Sequence, residues 1–425
     1  MPQLPSIAGV PLDFLLFACV LAGVAIFHHH TLRVAVVGLV AITVYKLIFS
    51  PFHGIAGAGG LVALLGHEWV TIANLFGLLL GFALLSKHFE ESRLPAILPR
   101  FLPDDWKGGF VMLILVFVLS SFLDNIAAAM IGGTMATVLY KGRLHIGFLA
   151  AIVAASNGGG SGSVVGDTTT TMMWIDGVSP LHVFEAYIAA IPALLFFGVL
   201  AARQQHALQP ITKDAPAGIR VDAGRLGVVA CILLAAIGAN LYFNLRDPQV
   251  LQQVPVLGIA VWVAIVVTMG FRRPDWSLIP AATRGSVFLL SLVLIASMMP
   301  VEALPAASWP TALGLGFVSA VFDNIPLTAL ALHQGGYDWG FLAYAVGFGG
   351  SMIWFGSSAG VALASMFPEA RSVVAWVRGG WHIAIGYVLG FAVLLGVLGW
   401  HADVPHKTVA NEDPPVLRAL AEVRR

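Results

Sequence analysis

Three aspartates lie inside otherwise apolar stretches of this chain, namely Asp124, Asp167 and Asp323. Placing a carboxylate at the centre of a membrane costs at least about 2.5–3.5 kcal/mol, and such residues mark ion pathways and proton relays. Two of the three begin an Asp-Asn pair, completed by Asn125 and Asn324. These carboxylates are therefore the first candidates for chemistry.

The third aspartate belongs to the polar segment "SNGGGSGSVVGDTTTTMM" at 156–173. Besides its carboxylate, this segment offers the amide of Asn157 and the hydroxyls of Ser161, Thr168 and Thr169. Its glycines allow a helix to unwind, so that backbone carbonyls can approach a small ion. Because hard oxygen ligands suit a hard cation, the segment predicts a Na⁺ site.

A carboxylate away from water can hold either a cation or a proton, because burial penalises its bare charge. Each ligand expels the other, and this competition is sufficient for cation/proton antiport when it is coupled to alternating access. We therefore predict Na⁺ binding at Asp124, Asp167 and Asp323. We also expect the three to converge on one watery chamber at membrane depth.

Structural and enzymatic alternatives are less consistent with the sequence. Asp167 could simply cap the helix that follows it, and the Asp-Asn pairs could satisfy turn backbone. An intramembrane aspartyl protease would have Gly-x-Gly-Asp, but Val164 takes the place of the first glycine. A serine-hydrolase elbow around Ser161 would need glycine at Ser163. We predict neither an enzyme nor a cofactor.

The composition defines the class of protein that must position these residues. Of the 425 residues, 58% are hydrophobic and 10% are charged, and the mean hydropathy is +0.89. Soluble domains carry about 25% charged residues, so the chain is predicted to lie in the lipid bilayer. The formal net charge of zero gives no support for a nucleic-acid partner.

Apolar runs of about 20 residues predict membrane spans. The predicted spans lie near 10–27, 34–50, 68–86, 146–172, 183–202, 226–243, 254–271, 285–301, 341–366 and 381–400. The Asp-Asn pairs divide runs 108–139 and 310–333 into arms too short to cross, so each run is predicted to be a re-entrant hairpin. The Gly-rich run 51–66 is ambiguous between a loop and a shallow re-entrant segment.

The distribution of Lys and Arg predicts the orientation. One side of the layout holds most of these residues, among them Lys87, Arg100 and Arg272, whereas the other side holds Arg246 and Lys407 near the spans. The positive side is predicted to be cytoplasmic. Both termini are then outside, and the two hairpins enter from opposite faces.

The two halves of the chain carry the same motifs. "SSFLDNIA" at 120–127 matches "SAVFDNIP" at 319–326, and Gly-Gly-Ser followed by a glycine five residues later recurs at 159–166 and 349–356. Hairpins inserted from opposite faces, each followed by a broken helix, are typical of inverted-repeat secondary transporters. The predicted fold is an all-α polytopic membrane protein with about 10 transmembrane helices, two re-entrant hairpins and two broken helices.

The predicted division of the chain follows from these repeats. Residues 1–67 form N-terminal scaffold or dimerisation spans, and a polar tail occupies 401–425. The first repeat is 68–225, with hairpin 108–139 and broken helix 146–172. The second repeat is 226–400, with hairpin 310–333 and broken helix 341–366.

The segments "SSFLDNIAAAMIGGTMA", "SNGGGSGSVVGDTTTTMMWI", "FDNIPLTALAL" and "GFGGSMIWFGSSAGVA" resemble the ion transporter superfamily, and most of all NhaD-type bacterial sodium/proton antiporters. Citrate and dicarboxylate carriers and arsenite permeases are more distant. The resemblance implies a bacterial inner-membrane homodimer that transports Na⁺ or Li⁺ against H⁺. It implies ion-binding roles for Asp124, Asn125, Asn157, Asp167, Thr168, Thr169, Asp323, Asn324, Ser351, Ser357 and Ser358.

A second interpretation remains open, a Na⁺- or H⁺-coupled carrier of citrate, a dicarboxylate or another small anion. Half-helix N-termini and hydroxyls would then hold the anion. Asp124 and Asp323 at the hairpin tips would repel a carboxylate, and this favours a cation.

Overall fold

The computed structural model describes residues 5–7, 10–27, 30–52, 54–97, 102–212 and 220–403. A short antiparallel pair, β1 (Ser6–Ile7) and β2 (Val10–Pro11), precedes a chain that is otherwise helical. Most of the predicted tail 401–425 lies outside the described residues.

The helices of the first half of the chain alternate between long spans and short arms. They are α1 (Leu12–Ile26), α2 (Thr31–Phe49), α3 (Gly57–Glu91), α4 (Leu94–Ile97), α5 (Trp106–Ser120), α6 (Asn125–Leu139), α7 (Ile146–Ser161), α8 (Thr168–Ile175), α9 (Pro180–Phe184) and α10 (Tyr187–Leu208).

The helices of the second half follow the same alternation. They are α11 (Ala223–Arg246), α12 (Pro248–Gln253), α13 (Val256–Thr268), α14 (Ile279–Ser297), α15 (Trp309–Ser319), α16 (Asn324–Gln334), α17 (Trp339–Gly349), α18 (Ser358–Met366), α19 (Val373–Gly379) and α20 (Trp381–Leu398).

Among the residues described, six helical segments are long and apolar enough to cross a membrane. Five contain α2, α3, α10, α14 and α20, and the sixth is Ala223–Asn240 of α11. Further apolar helices, such as α5, α7 and α17, are shorter. The predicted class, an all-α polytopic membrane protein, is confirmed. In contrast to the ambiguous prediction for 51–66, residues from Gly57 onward form one continuous 35-residue helix with the span that follows.

Both Asp-Asn pairs lie between the two arms of a hairpin. Arms α5 and α6 have 15 residues each and flank a turn that ends at Asp124. Arms α15 and α16 have 11 residues each and flank a turn that ends at Asp323. At 1.5 Å per residue the arms span about 16–22 Å, which is less than the ~30 Å hydrocarbon layer. They have the lengths expected of re-entrant arms.

Both predicted broken helices are also present. Helix α7 ends at Ser161 and α8 begins at Thr168, whereas α17 ends at Gly349 and α18 begins at Ser358. Nearly all of α7 and all of α17 are buried. The two helices pack against each other at the centre of the protein.

The helices form an inner core and an outer frame. In the core, α7 packs on α5, α6, α10 and α17, and α10 packs on α20. In the frame, α13 and α11 pack on α3, and α2 packs on α14. We use "core" for α5–α10 and α15–α20, and "frame" for α1–α3, α11, α13 and α14. The frame meets the core where α3 contacts α8 and where α14 contacts α16.

Candidate functional site

Glycines bring each broken helix against its hairpin. A Cβ placed on Gly159 or Gly166 would collide with the carbonyl oxygen of Phe117 or Ser120, respectively, in α5. The second half repeats the arrangement. Gly349 lies against the carbonyl of Gly316 in α15, and Gly356 lies against the carbonyl of Ala320, the residue that follows α15. The Gly-rich segments therefore serve close backbone approach as well as helix unwinding.

Four helices begin in this region, and a side chain caps each of them. Asp124 accepts the Ile126 N–H at 2.7 Å, and Asp323 accepts the Ile325 N–H at 3.0 Å. These bonds satisfy donors that the first turn of a helix leaves free.

The other two caps differ in charge. Asp167 accepts the Thr169 N–H at 3.2 Å, whereas Ser357 accepts the Gly360 N–H at 3.2 Å. Asp167 thus does cap the helix that follows it, as the structural alternative predicted. Capping does not explain the charge, because the neutral Ser357 performs the same task in the second half.

An amide network joins the two halves. Asn125 Nδ2 donates to Asn157 Oδ1 at 3.2 Å, and Asn157 Nδ2 donates to the hydroxyl oxygens of Ser351 and Ser357 at 3.0 Å each. All four side chains are buried, with at most 5% of their surface exposed. The network connects α6 and α7 to the break between α17 and α18.

Two of the acidic groups have side-chain partners from the second half of the chain. Asn324 Nδ2 approaches Asp167 Oδ2 at 3.4 Å, and the Ser358 hydroxyl donates to Asp323 Oδ2 at 3.2 Å. Asp167 is 3% exposed, whereas Asp124 and Asp323 are half-buried. Asp167 shares a cavity with Asp124 and is approached by Asn324, the sequence neighbour of Asp323, so it lies between groups of the two hairpin tips.

The three carboxylates line two cavities, in contrast to the expected single chamber. Asp124, Asp167 and Thr168 line a cavity of about 10 Å³ against α3, which is the space needed by roughly one water molecule. Asp323 and Ser358 line another cavity, of about 230 Å³, against α1, α2 and α14. Each cavity lies where a hairpin tip and a broken helix of the core meet the frame.

The other predicted residues occupy supporting positions. Ser161 donates to the carbonyl of Gly158 at 2.9 Å within its own helix. Thr169 Oγ1 is buried and has no hydrogen-bond partner among the residues described.

Some polar residues were missed at the sequence level. Ser156 donates to the carbonyl of Asn125, and Asp13 forms a buried ion pair with Lys46 at 3.0 Å. Lys46 lies inside predicted span 34–50, so the rule that intramembrane charges are functional or paired would have identified it.

The chemistry available at the smaller cavity is that of a small hard cation or a proton. Two carboxylates face a space of about 10 Å³, and carboxylate oxygens are ligands suited to hard cations.

Comparison with known proteins gives one informative relative. The chain is 27% identical over 389 residues to "Sodium/proton antiporter 1" of Arabidopsis thaliana, an alignment that covers 80% of this chain and 62% of that protein. The chain therefore spans less than two thirds of the relative's length. No protein-family model matches the chain.

Proposed function

We propose that the protein is a secondary active antiporter that exchanges Na⁺ or Li⁺ for protons. The observation that carries this proposal is that Asp124 and Asp167 face the same cavity of about 10 Å³ inside a polytopic membrane protein. Two carboxylates in so small a space cannot both remain charged without a counter-ion. A single small cation or bound protons would relieve their repulsion.

In this mechanism the chain's own residues do the ion chemistry. Asp167 binds the cation or a proton, and Asp124 and Asp323 contribute charge on either side of it. Asn157, Ser351 and Ser357 hold the two broken helices together. The four capping side chains accept hydrogen bonds from the free backbone N–H groups at the helix N-termini. The carboxylates can therefore exchange a cation for a proton while these helix ends stay folded.

Alternating access would move the core relative to the frame. The two cavities lie on the two core–frame boundaries, one against α3 and the other against α1, α2 and α14. Such a movement could open the site first to one side of the membrane and then to the other.

Several further proposals accompany the antiport function. We place the protein in a bacterial inner membrane, as a homodimer, with both termini outside. Residues 1–67 would contribute to the scaffold or dimer contact, and 68–225 and 226–400 would be the inverted repeats. The sodium/proton antiporter named in the comparison supports the choice of ions.

Purified protein in liposomes containing a pH-sensitive dye tests the function. Addition of Na⁺ or Li⁺ should dissipate a preformed pH gradient in the absence of any organic anion. If the gradient persists until citrate or another carboxylate is added, the protein is instead an anion carrier. Empty liposomes report the passive leak.

A further inference from the structure

The repeated motifs assign a counterpart in the other half of the chain to every residue of the amide network. The shared motifs place Asn125 opposite Asn324 at an offset of 199 residues (324 − 125). An offset of 190 places Ser351 opposite Ser161 (351 − 161) and Ser357 opposite Asp167 (357 − 167). The same offset places Gly347 opposite Asn157.

Two half-sites result, which we name by their central group. The amide half-site consists of Asn125, Asn157, Ser351 and Ser357. The carboxylate half-site consists of Asn324, Gly347, Ser161 and Asp167.

The structure supports this equivalence in space. Asn157 reaches Ser351 and Ser357 across the interface. Correspondingly, a Cβ built on Gly347 would lie 3.1 Å from the Cβ of Ser161 and 3.6 Å from Asp167 Oδ2. Position 347 therefore faces the carboxylate half-site as position 157 faces the amide half-site, but it carries no side chain.

The amide half-site is complete without an ion. The amide nitrogen of Asn157 donates to two hydroxyl oxygens, and its carbonyl oxygen accepts from Asn125. A partially positive NH₂ group thus lies among oxygen atoms, where a cation would otherwise be needed.

The carboxylate half-site has glycine where the amide half-site has Asn157, and it also lacks a compensating positive charge. No Lys, Arg or His forms an ion pair with Asp167 in the part of the chain that the structure describes. Asn324 Nδ2 approaches Oδ2 of Asp167 at 3.4 Å, and the neutral hydroxyl of Thr169 lies nearby, but neither group carries a charge. A buried charge without compensation is strongly unfavourable, so this half-site requires a bound cation or proton.

From this asymmetry we propose that each chain binds one Na⁺, at Asp167 of the carboxylate half-site in the cavity that it shares with Asp124, and that the Asn157 amide permanently closes the equivalent position of the amide half-site. The proposal rests on the antiport function above and specifies its binding stoichiometry. Asn157 is then a positioning residue that closes the second half-site.

Equilibrium dialysis of the purified full chain in detergent against ²²Na⁺ measures the stoichiometry directly. Wild type should bind one Na⁺ per chain. Asp167→Ser, which keeps a capping side chain like that of Ser357, should bind none. Two ions per wild-type chain, or one retained by Asp167→Ser, would overturn the proposal.

Rebuilding the second half-site gives a gain-of-binding test. Asn157→Gly combined with Ser357→Asp makes the amide half-site resemble the carboxylate half-site and should raise the count to two. Asn157→Gly alone is the matched control and should still bind one, because the opened half-site then contains no carboxylate. A count of two in the single variant, or of one in a correctly folded double variant, contradicts the proposal. Monodisperse elution and an unchanged helical CD spectrum establish folding.

The outcome is distinguishable from failure of the antiport function. If wild type binds no Na⁺ and Na⁺ dissipates no pH gradient in liposomes, the proposed function itself is wrong and this inference falls with it. If Na⁺ does dissipate the gradient but the counts differ from those above, only the inference about the half-sites is wrong.

Discussion

Asn157 donates its side-chain amide to the hydroxyl of Ser357 at 3.0 Å, across the boundary between the two halves of the chain. Ser357 caps α18 just as Asp167 caps α8. The two caps are thus alike in geometry and different in charge, and one of them is already satisfied by an amide. This difference explains why we regard Asp167 as the central ion ligand.

Replacing Asp167 by Asn should abolish Na⁺-dependent proton movement in liposomes while leaving the fold intact. Asn remains a good helix cap, so only the exchangeable charge is removed. Asp105→Asn is the matched control, because Asp105 caps α5 in the same way at an exposed position, with 49% of its side chain accessible. Full exchange by the Asp167 variant would remove this residue from the ion site.

Replacing Ser357 by Ala should lower the stability of the protein by about 1–3 kcal/mol, because the Asn157 amide is then left buried without one of its partners. The capping bond to Gly360 is lost as well. Ser372→Ala removes a cap from the exposed start of α19 and provides the control. Thermal unfolding in detergent should show a larger decrease in Tm for the first variant, and equal decreases would argue against the amide network.

Replacing Gly347 by Ala should raise the Na⁺ concentration for half-maximal exchange by about tenfold, equivalent to ~1.4 kcal/mol. The added methyl would crowd the Cβ of Ser161 at 3.1 Å and would lie in contact with the carboxylate of Asp167 at 3.6 Å, so relief of the first contact shifts atoms next to the ion ligand. We expect a smaller effect for Li⁺, which needs less space. Gly386→Ala on α20, where the nearest atoms lie at 3.5 Å in ordinary contact, should leave both ions unaffected. A similar change in both variants would indicate a general packing effect.

Replacing Lys46 by Met should destabilise the protein by about 3–5 kcal/mol, because it leaves the carboxylate of Asp13 buried and unpaired. Asp13 is 0% and Lys46 2% exposed, and the Ser50 hydroxyl also donates to Asp13, at 3.0 Å. The double variant Asp13→Leu with Lys46→Met should recover most of the stability, since a buried pair can be exchanged for apolar residues. Unfolding midpoints of wild type, the Lys46→Met variant and the double variant measure this recovery. A double variant as unstable as the single variant would show that the ion pair itself stabilises the contact between α1 and α2.

Replacing Arg272 by Ala should reduce stability at neutral pH but not in strong acid. Arg272 donates to Asp222 at 3.0 Å beyond the end of α13, and this hydrogen bond holds the pKa of Asp222 below its usual range. Because the folded-state pKa is lower than the unfolded value, the stabilisation is present above the unfolded pKa and is lost as pH falls through the folded-state pKa. The Tm difference between wild type and variant should therefore disappear in acid. A difference that persists there, or an equal effect of changing the exposed neighbour Arg273, would contradict the pairing.

Much of the fold follows from where polar residues interrupt apolar runs. The Asp-Asn pairs at 124 and 323 predicted the hairpin turns, and the glycines around 160 and 350 predicted the helix breaks, because each interruption is a local property of the chain. The helix from Gly57 was not predicted, since glycine has a low helix propensity and tertiary packing overrides it there.

The arrangement of the site was less predictable. The sequence identified Asn157 and Ser357 as separate candidates, but the bond between them joins residues 200 positions apart (357 − 157). The assignment of Asp323 to a second cavity also depends on how the core packs against the frame. No local pattern encodes such long-range contacts, whereas the motif repeat did indicate which residues are equivalent.

The most direct test of the antiport mechanism is uphill accumulation of ²²Na⁺ in liposomes with an acidic interior and no organic anion. Outward proton movement should drive internal ²²Na⁺ above its external concentration, and collapsing the pH gradient should release the excess. If ²²Na⁺ only equilibrates, or accumulates only when a carboxylate is supplied, the exchange of cation for proton at Asp167 is contradicted.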